Sequence, residues 1–225
     1  MPEYQWDFDA IFQYRGVLVE GMLTTLRVLA FSVTIGVALG LVLAPLRAAH
    51  SRWVRWPVQA LIEVVRAVPP LVLVVWAYYC LPILTGMKLS AYWTCVLALG
   101  LYGSVFFAEI FRSGLQSVDH GLVEAALAVG MTPFKALMRV AAPIAFLRIL
   151  PAFVGQSVMA VKNSVLGSYI AVGELLYEGQ RLSTATFRPL EVLTLVALFF
   201  VVTILPLSLL AGSIERRIHG RYFRR

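Results

Sequence analysis

Residues Glu124 to Pro143 read EAALAVGMTPFKALMRVAAP, a polar and charged stretch set between long apolar ones. Its local grammar is that of a helix-turn-helix. Gly130 suits the left-handed residue that ends a first short helix. Thr132 suits the cap of the next helix, and Pro133 suits its first position, where a missing N–H costs nothing. Pro143 is expected to stop that second helix, because its ring and its absent donor do not fit a helix interior.

The surroundings of this loop set the class. Hydrophobic residues make up 60% of the 225, charged residues 14%, and the mean hydropathy is +0.82. These values lie outside the range of ordinary soluble domains. The chain reads as an all-α integral membrane protein with about five transmembrane helices, each of about 20 residues. One membrane domain over 1–225 accounts for the length, with no room for a separate soluble domain. A membrane chain has reason to keep a long polar loop when something docks on it. The net charge of +7 does not point to nucleic acid, since the basic residues sit in short segments beside apolar runs, as membrane topology requires.

The apolar runs extend from Met22 to Leu46, Val58 to Leu84, Tyr92 to Leu115, Phe146 to Val172 and Val192 to Leu210. Arg47, Arg52 and Arg55 lie in the first link, and Lys135, Arg139 and Arg148 in or beside the polar loop. Arg216, Arg217, Arg221, Arg224 and Arg225 lie in the tail, whereas Glu3, Asp7, Asp9 and Glu20 dominate the head. The positive-inside rule therefore predicts an outer N-terminal segment (1–21), a cytoplasmic loop (118–145) and a basic cytoplasmic tail (213–225). The acidic head and the length of the first run read as a retained span rather than a cleaved leader. Glu174 to Pro189 reads as an outer polar connection with one short helix, broken up by Gly173, Gly179 and Pro189. Cys80 and Cys95, inside apolar runs, read as small packing residues.

Polar groups inside the apolar runs are the candidate pathway residues, because charges there are costly. Lys162, Asn163 and Ser164 lie about 16 residues past Phe146, beyond the middle of the bilayer at about 1.5 Å per residue. Either they offer hydrogen bonds and a positive charge to a polar solute, or they tie helices together. Arg66 to Pro70 interrupts the second run, and its paired prolines withhold backbone donors, so Arg66 and Pro69 mark either a pathway or a packing kink. Glu109 and Arg112, three residues apart on one helix face, read as a structural pair. Trp76, Tyr78, Tyr79, Tyr92 and Trp93 read as an interfacial belt.

No phosphate loop of the G-x-x-x-x-G-K-[ST] form, no G-x-S-x-G and no H-E-x-x-H occurs, and His50, His120 and His219 have no metal-ligand spacing. No catalytic residue, metal ligand or cofactor site is expected in this chain.

The polar loop resembles the EAA motif of ABC-importer permeases, E-A-A, three residues, G, nine residues, I, one residue, L-P. Glu124, Ala125, Ala126, Gly130 and Pro143 fall in register, with Val140 where Ile is usual and Ala142 where Leu is usual. From Glu20 to Arg217 the chain resembles a permease subunit of the polar amino acid ABC-uptake family. EGMLTTLRV, VRAVP, AEIFRSGLQSV, VKNSVL and TFRPLEV carry the likeness. Ala67 and Val68 replace the usual Gly and Thr, Asp119 a frequent Pro, and Val165 the second Ser.

The resemblance implies a type I importer permease with a MetI-like core and a cytoplasmic coupling helix. Glu124, Ala125, Ala126, Gly130, Lys135, Arg139 and Pro143 would couple to the ATPase. Arg66, Pro69, Lys162, Asn163 and Ser164 would line the substrate pathway. It implies a multi-pass protein of the bacterial cytoplasmic (inner) membrane, N-terminus outside and C-terminus inside, in contact with membrane lipid. Its partners would be ABC ATPase subunits, which bind ATP and Mg in place of this chain, a second permease in a homo- or heterodimer, and a periplasmic or surface-tethered amino-acid-binding protein. Asn163, where carriers of cationic amino acids commonly hold an acid, leans the solute toward glutamate, aspartate or glutamine. A small secondary carrier or channel for a polar solute is the alternative.

Overall fold

The computed structural model describes residues 4–222, without the side chains at 215 and 217–222. The basic tail expected from Arg217 onward thus falls outside the described side chains, and only Arg216 is seen, its guanidinium donating to Ser213 Oγ at 3.3 Å. The described residues are helical, with no strand. The helices are α1 (Asp9–Phe12), α2 (Arg15–Arg47), α3 (Arg52–Ala67), α4 (Pro70–Tyr79), α5 (Leu81–Thr85) and α6 (Ala91–Gln116). They continue with α7 (His120–Ala128), α8 (Pro133–Ala136), α9 (Ala142–Asn163), α10 (Leu175–Thr186) and α11 (Pro189–Tyr222). Four helical stretches are long and apolar enough to cross a membrane: Arg15–Arg47, Ala91–Gln116, Pro133–Ile170 and Pro189–Ile214. A fifth crossing exists if α3 and α4 count as one bent pair, which meets the expected number.

One expectation is met and two need correction. The second run is interrupted at Arg66 to Pro70 as expected: the chain bends by 100° between α3 and α4. Pro69 takes an extended conformation at the break (φ −58°, ψ 137°) and Pro70 opens α4, so the proline pair acts as the local rule requires. Pro143 does not stop its helix. A π turn over Leu137–Ala141 joins α8 to α9 without a gap, and the wider turn takes up the proline that an α-helix interior would reject. The helix that begins at Pro133 is therefore continuous with the fourth span. Gly179 does not break the outer connection either. It lies buried within α10, where an added Cβ would come within 2.7 Å of Val196 Cγ2, so it serves close helix packing.

The chain folds as two compact units, and the long helices run through both. One unit takes the chain up to Thr34, Val68–Leu101 and Met159–Pro206. Its core includes Ile11, Leu182 and Val192. Here Thr25 Oγ1 accepts from the Leu175 N–H at 3.0 Å and donates to the Gly21 carbonyl, so the EGMLTTLRV motif seats the start of α10 on α2. Gly21 is needed for that approach, since a Cβ would lie 3.0 Å from Leu175 Cα. Cys95 is buried and Cys80 half-buried, both unpaired, as packing residues should be.

The other unit takes Ile35–Ala67, Tyr102–Val158 and the chain from Leu207. Ile62, Val65 and Val105 pack together with Val58, Tyr102 and Phe106 around them, so the inner face of α3 is held on α6. A charged layer closes the ends of these helices. Glu109 accepts from Arg47 and from Arg112, whose Nε donates at 3.2 Å, and Arg47 also lies 3.9 Å from Glu63. The AEIFRSGLQSV motif is thus a structural node. It holds the expected i,i+3 pair and recruits Arg47, which spacing alone did not reveal.

Candidate functional site

The polar loop folds as its residues dictate. Asp119 caps α7 by accepting from the Gly121 N–H at 2.9 Å. At the other end Gly130 has φ +85°. Its N–H donates to Leu127 O at 3.0 Å and the Met131 N–H donates to Ala126 O at 3.1 Å, the paired bonds of a Schellman motif. Thr132 caps α8 by accepting from the Lys135 N–H at 3.4 Å, with Pro133 in the first turn. Underneath, Val118, Ala141 and Ala145 form a buried cluster with Val123 and Ile144. Arg148 of α9 donates to the Ser117 carbonyl beyond the end of α6. The loop is thus fixed to the base of α9 and its turns are closed by their own hydrogen bonds.

Its outward-facing side chains are not covered. Of the expected coupling residues, only Ala126 is buried. Glu124, Ala125, Gly130, Lys135, Arg139 and Pro143 stand exposed. Beside them are two apolar groups that sequence reasoning missed, Val129 at 75% and Phe134 at 71% exposure. They flank the Gly130 turn on either side. The available signal was an aliphatic and an aromatic residue beside a tight polar turn, where neither helps to build the turn itself.

The expected pathway residues divide. Lys162 and Asn163 end α9, and at Ser164 the helix tightens into a 3-10 turn, Ser164–Ile170, that ends in a left-handed Ala171 (φ 59°). Lys162 is exposed and Asn163 half-buried, but Ser164 is fully buried and its hydroxyl donates to Val161 O at 2.7 Å. Ser164 therefore lines no open surface of the described chain. The helix that Pro69 caps, α4, packs on this 3-10 turn. Arg66 is engaged elsewhere, with its guanidinium 5.3 Å from the Phe106 ring centre.

Glu174 follows the 3-10 turn and is fully buried. It caps α10, accepting from the Leu176 and Tyr177 N–H groups at 3.0 and 2.8 Å. Burial pushes its carboxyl up to about 7 against those two hydrogen bonds, which favour the charged form. Glu178, one turn on, pairs with Arg181 at 3.0 Å. Glu191, in the TFRPLEV motif, is also fully buried. It accepts from Tyr4 OH, from the Asp7 N–H at 3.1 Å and from Arg188 at 3.1 Å. Among the described residues no group of His, Cys, Asp and Glu is arranged to hold a metal ion.

Residues 36–221 match the family model described as "Binding-protein-dependent transport system inner membrane component". The chain is 30% identical to the arginine transport system permease protein ArtQ of Bacillus subtilis (strain 168), over 94% of this chain and 97% of that one. It is 31% identical to the glutamine transport system permease protein GlnP of Escherichia coli (strain K12), over 95% and 98%. In structure it is similar to a chain of an amino acid ABC transporter crystallised with histidines, with a TM-score of 0.86, 32% identity and coverage of 95% of this chain and 100% of that one.

Proposed function

The chain belongs to the family of inner membrane components of binding-protein-dependent transport systems, and on that premise we propose that it is the permease subunit of an ATP-driven importer of polar L-amino acids. One structural observation carries the reading. The loop over 118–145 closes its own turns with the Asp119 cap, the Gly130 turn and the Thr132 cap, yet leaves Val129 and Phe134 uncovered. It rises from the base of α9, whose far end is Lys162–Asn163. A helix of 22 residues rises about 33 Å, so a push on the loop reaches the polar end of α9 through one continuous element.

In this reading ATPase subunits grip α7 and the Gly130 turn. Their closure on ATP moves α9 as a rigid body, the differential contact that a ligand-driven switch requires. Glu124, Ala125, Ala126, Gly130, Lys135, Arg139 and Pro143 belong to that docking surface, with Val129 and Phe134 as its apolar anchors. ATP and Mg bind to the partner. A binding protein delivers the amino acid at the outer face, a second permease completes the pathway, and the N-terminus lies outside and the C-terminus inside, as the basic links favour.

The arginine and glutamine systems to which ArtQ and GlnP belong differ in solute, so the solute is argued from this chain's own residues. Asn163, half-buried at the end of α9, offers an amide where a carboxylate would favour a cation. With Lys162 exposed beside it, an acidic or amide amino acid fits better than a cationic one. Asn163→Asp should lower glutamate uptake far more than Asn163→Gln, because a second carboxylate in a low-dielectric cavity repels the substrate's own. Equal glutamate uptake by wild type and Asn163→Asp would remove Asn163 from the pathway.

The activity itself is tested by uptake of labelled amino acids into vesicles that hold this chain, its ATPase and its second permease, with binding protein outside. Accumulation should require trapped ATP. Accumulation driven by an ion gradient in the absence of the ATPase would establish the secondary carrier instead.

A further inference from the structure

The start of α3 has a face that nothing in the described chain covers. Trp53 is 91% exposed and Trp56 69%. With Arg52, Pro57 and Ala60 they line an open cavity of about 570 Å³. The opposite face of the same helix is accounted for, since Val58, Ile62 and Val65 pack with Tyr102, Val105 and Phe106 of α6. The helix is therefore apolar on two sides, and only one of them meets protein.

The depth of this face follows from its neighbours. Arg47, the last residue of α2, sits in the charged layer with Glu109 and Arg112. Arg52 opens α3 only five residues later. Arginines at the end of one apolar helix and the start of the next gather at the membrane–water boundary. The first two turns of α3 therefore lie at the membrane–water boundary. Tryptophan prefers that depth, with its ring among the upper acyl chains and its N–H toward the headgroups. Pro57 agrees, since it supplies no N–H to the carbonyl one turn back, a loss that water at the boundary can make good.

Charge identifies the occupant. Arg52 is exposed at the rim of the cavity, and the acid on this helix, Glu63, lies about three turns away and 3.9 Å from Arg47. A cation at the mouth of an aromatic slot at the bilayer edge suits a phosphate above and acyl chains below. We propose that Arg52, Trp53, Trp56, Pro57 and Ala60 form a binding site for an anionic phospholipid, with Arg52 holding its headgroup. The site does not depend on which solute the chain transports.

Trp53 and Trp56 report on it directly. In the full-length chain carrying Trp6→Phe, Trp76→Phe and Trp93→Phe, reconstituted in vesicles, their fluorescence is quenched by lipids brominated near the top of the acyl chain. At equal mole fraction, brominated phosphatidylglycerol should quench at least twofold more than brominated phosphatidylcholine. Arg52→Gln should erase that preference while leaving the total quenching in place. Equal quenching by both headgroups overturns the site, leaving plain bilayer exposure. Absence of quenching by either also overturns it, since the face would then be covered by protein such as a second copy. Native mass spectrometry of the chain with all its tryptophans gives an independent reading. It should retain phosphatidylglycerol over phosphatidylethanolamine by at least threefold, falling to parity in Arg52→Gln, and parity without the substitution contradicts the proposal.

Discussion

Two polar excursions interrupt the apolar helices of this chain, and they are finished in opposite ways. The connection over 171–191 turns its chemistry inward. Glu174 and Glu191 are fully buried, and their carboxylates accept from backbone N–H groups, Tyr4 and Arg188. The loop over 118–145 closes its turns, through the Asp119 cap, the Gly130 turn and the Thr132 cap, and leaves Val129 and Phe134 bare. A segment of the first kind stabilises the fold in which it sits. A segment of the second kind is rigid before anything binds to it, so a partner loses little ordering entropy in docking there.

The contrast can be broken most decisively at Gly130. No heavy atom lies within 4 Å of a Cβ added there, so the cost of Gly130→Val is the left-handed backbone (φ +85°) and not a clash. That strain is about 1–2 kcal/mol, and the turn should open to avoid it. ATP-driven uptake should then fall at least tenfold, whereas Gly130→Asn, which tolerates the left-handed region, should keep most of it. Full uptake by Gly130→Val would mean that the turn is not part of the docking surface.

At the outer connection the effect should fall on stability instead. Glu174→Ala removes the cap of α10 and should cost about 1–2 kcal/mol, read as a lower unfolding midpoint in detergent, with affinity for the ATPase unchanged. The same residue sets a pH dependence. Its carboxyl moves from the ordinary 4.5 to about 7 in the fold, so between those limits the folded chain holds a proton that the unfolded chain has released. The contribution of Glu174 to stability therefore declines as pH rises from about 4.5 to about 7. Glu174→Gln should flatten that slope, and an unaltered slope would show that another group titrates. The smallest effect is at Ala171, held at φ 59°, where Ala171→Gly should relieve strain and raise stability by at most about 1 kcal/mol.

How much of this was legible in the sequence depended on the range of the signal. Gly130, Thr132 and Pro133 were read correctly because a cap or a turn is decided within a few residues. Pro143 was misread for the same reason: its local rule is right, but the π turn over Leu137–Ala141 that absorbs it is a property of the whole helix. Gly179 has the local signature of a breaker because its partner, Val196, is distant in sequence. The Glu109–Arg112 pair was visible at spacing i,i+3, while Arg47 came to it from another helix. Glu174 was unreadable until the fold enclosed it. Ser164 was legible as a polar residue deep in an apolar run, yet the direction of its hydroxyl, back onto Val161 O, was not.

Affinity measures most directly whether the loop over 118–145 is the surface on which the ATPase docks. The chain is held in nanodiscs and its ATPase subunits are titrated onto wild type, Val129→Ala with Phe134→Ala, and Glu174→Ala. The double loop variant should bind at least tenfold more weakly, about 1.4 kcal/mol, with its unfolding midpoint unmoved, because neither side chain is covered by the rest of the described chain. Glu174→Ala should bind as wild type does. Unchanged affinity in the loop variant, or a loss confined to Glu174→Ala, would place the docking surface elsewhere.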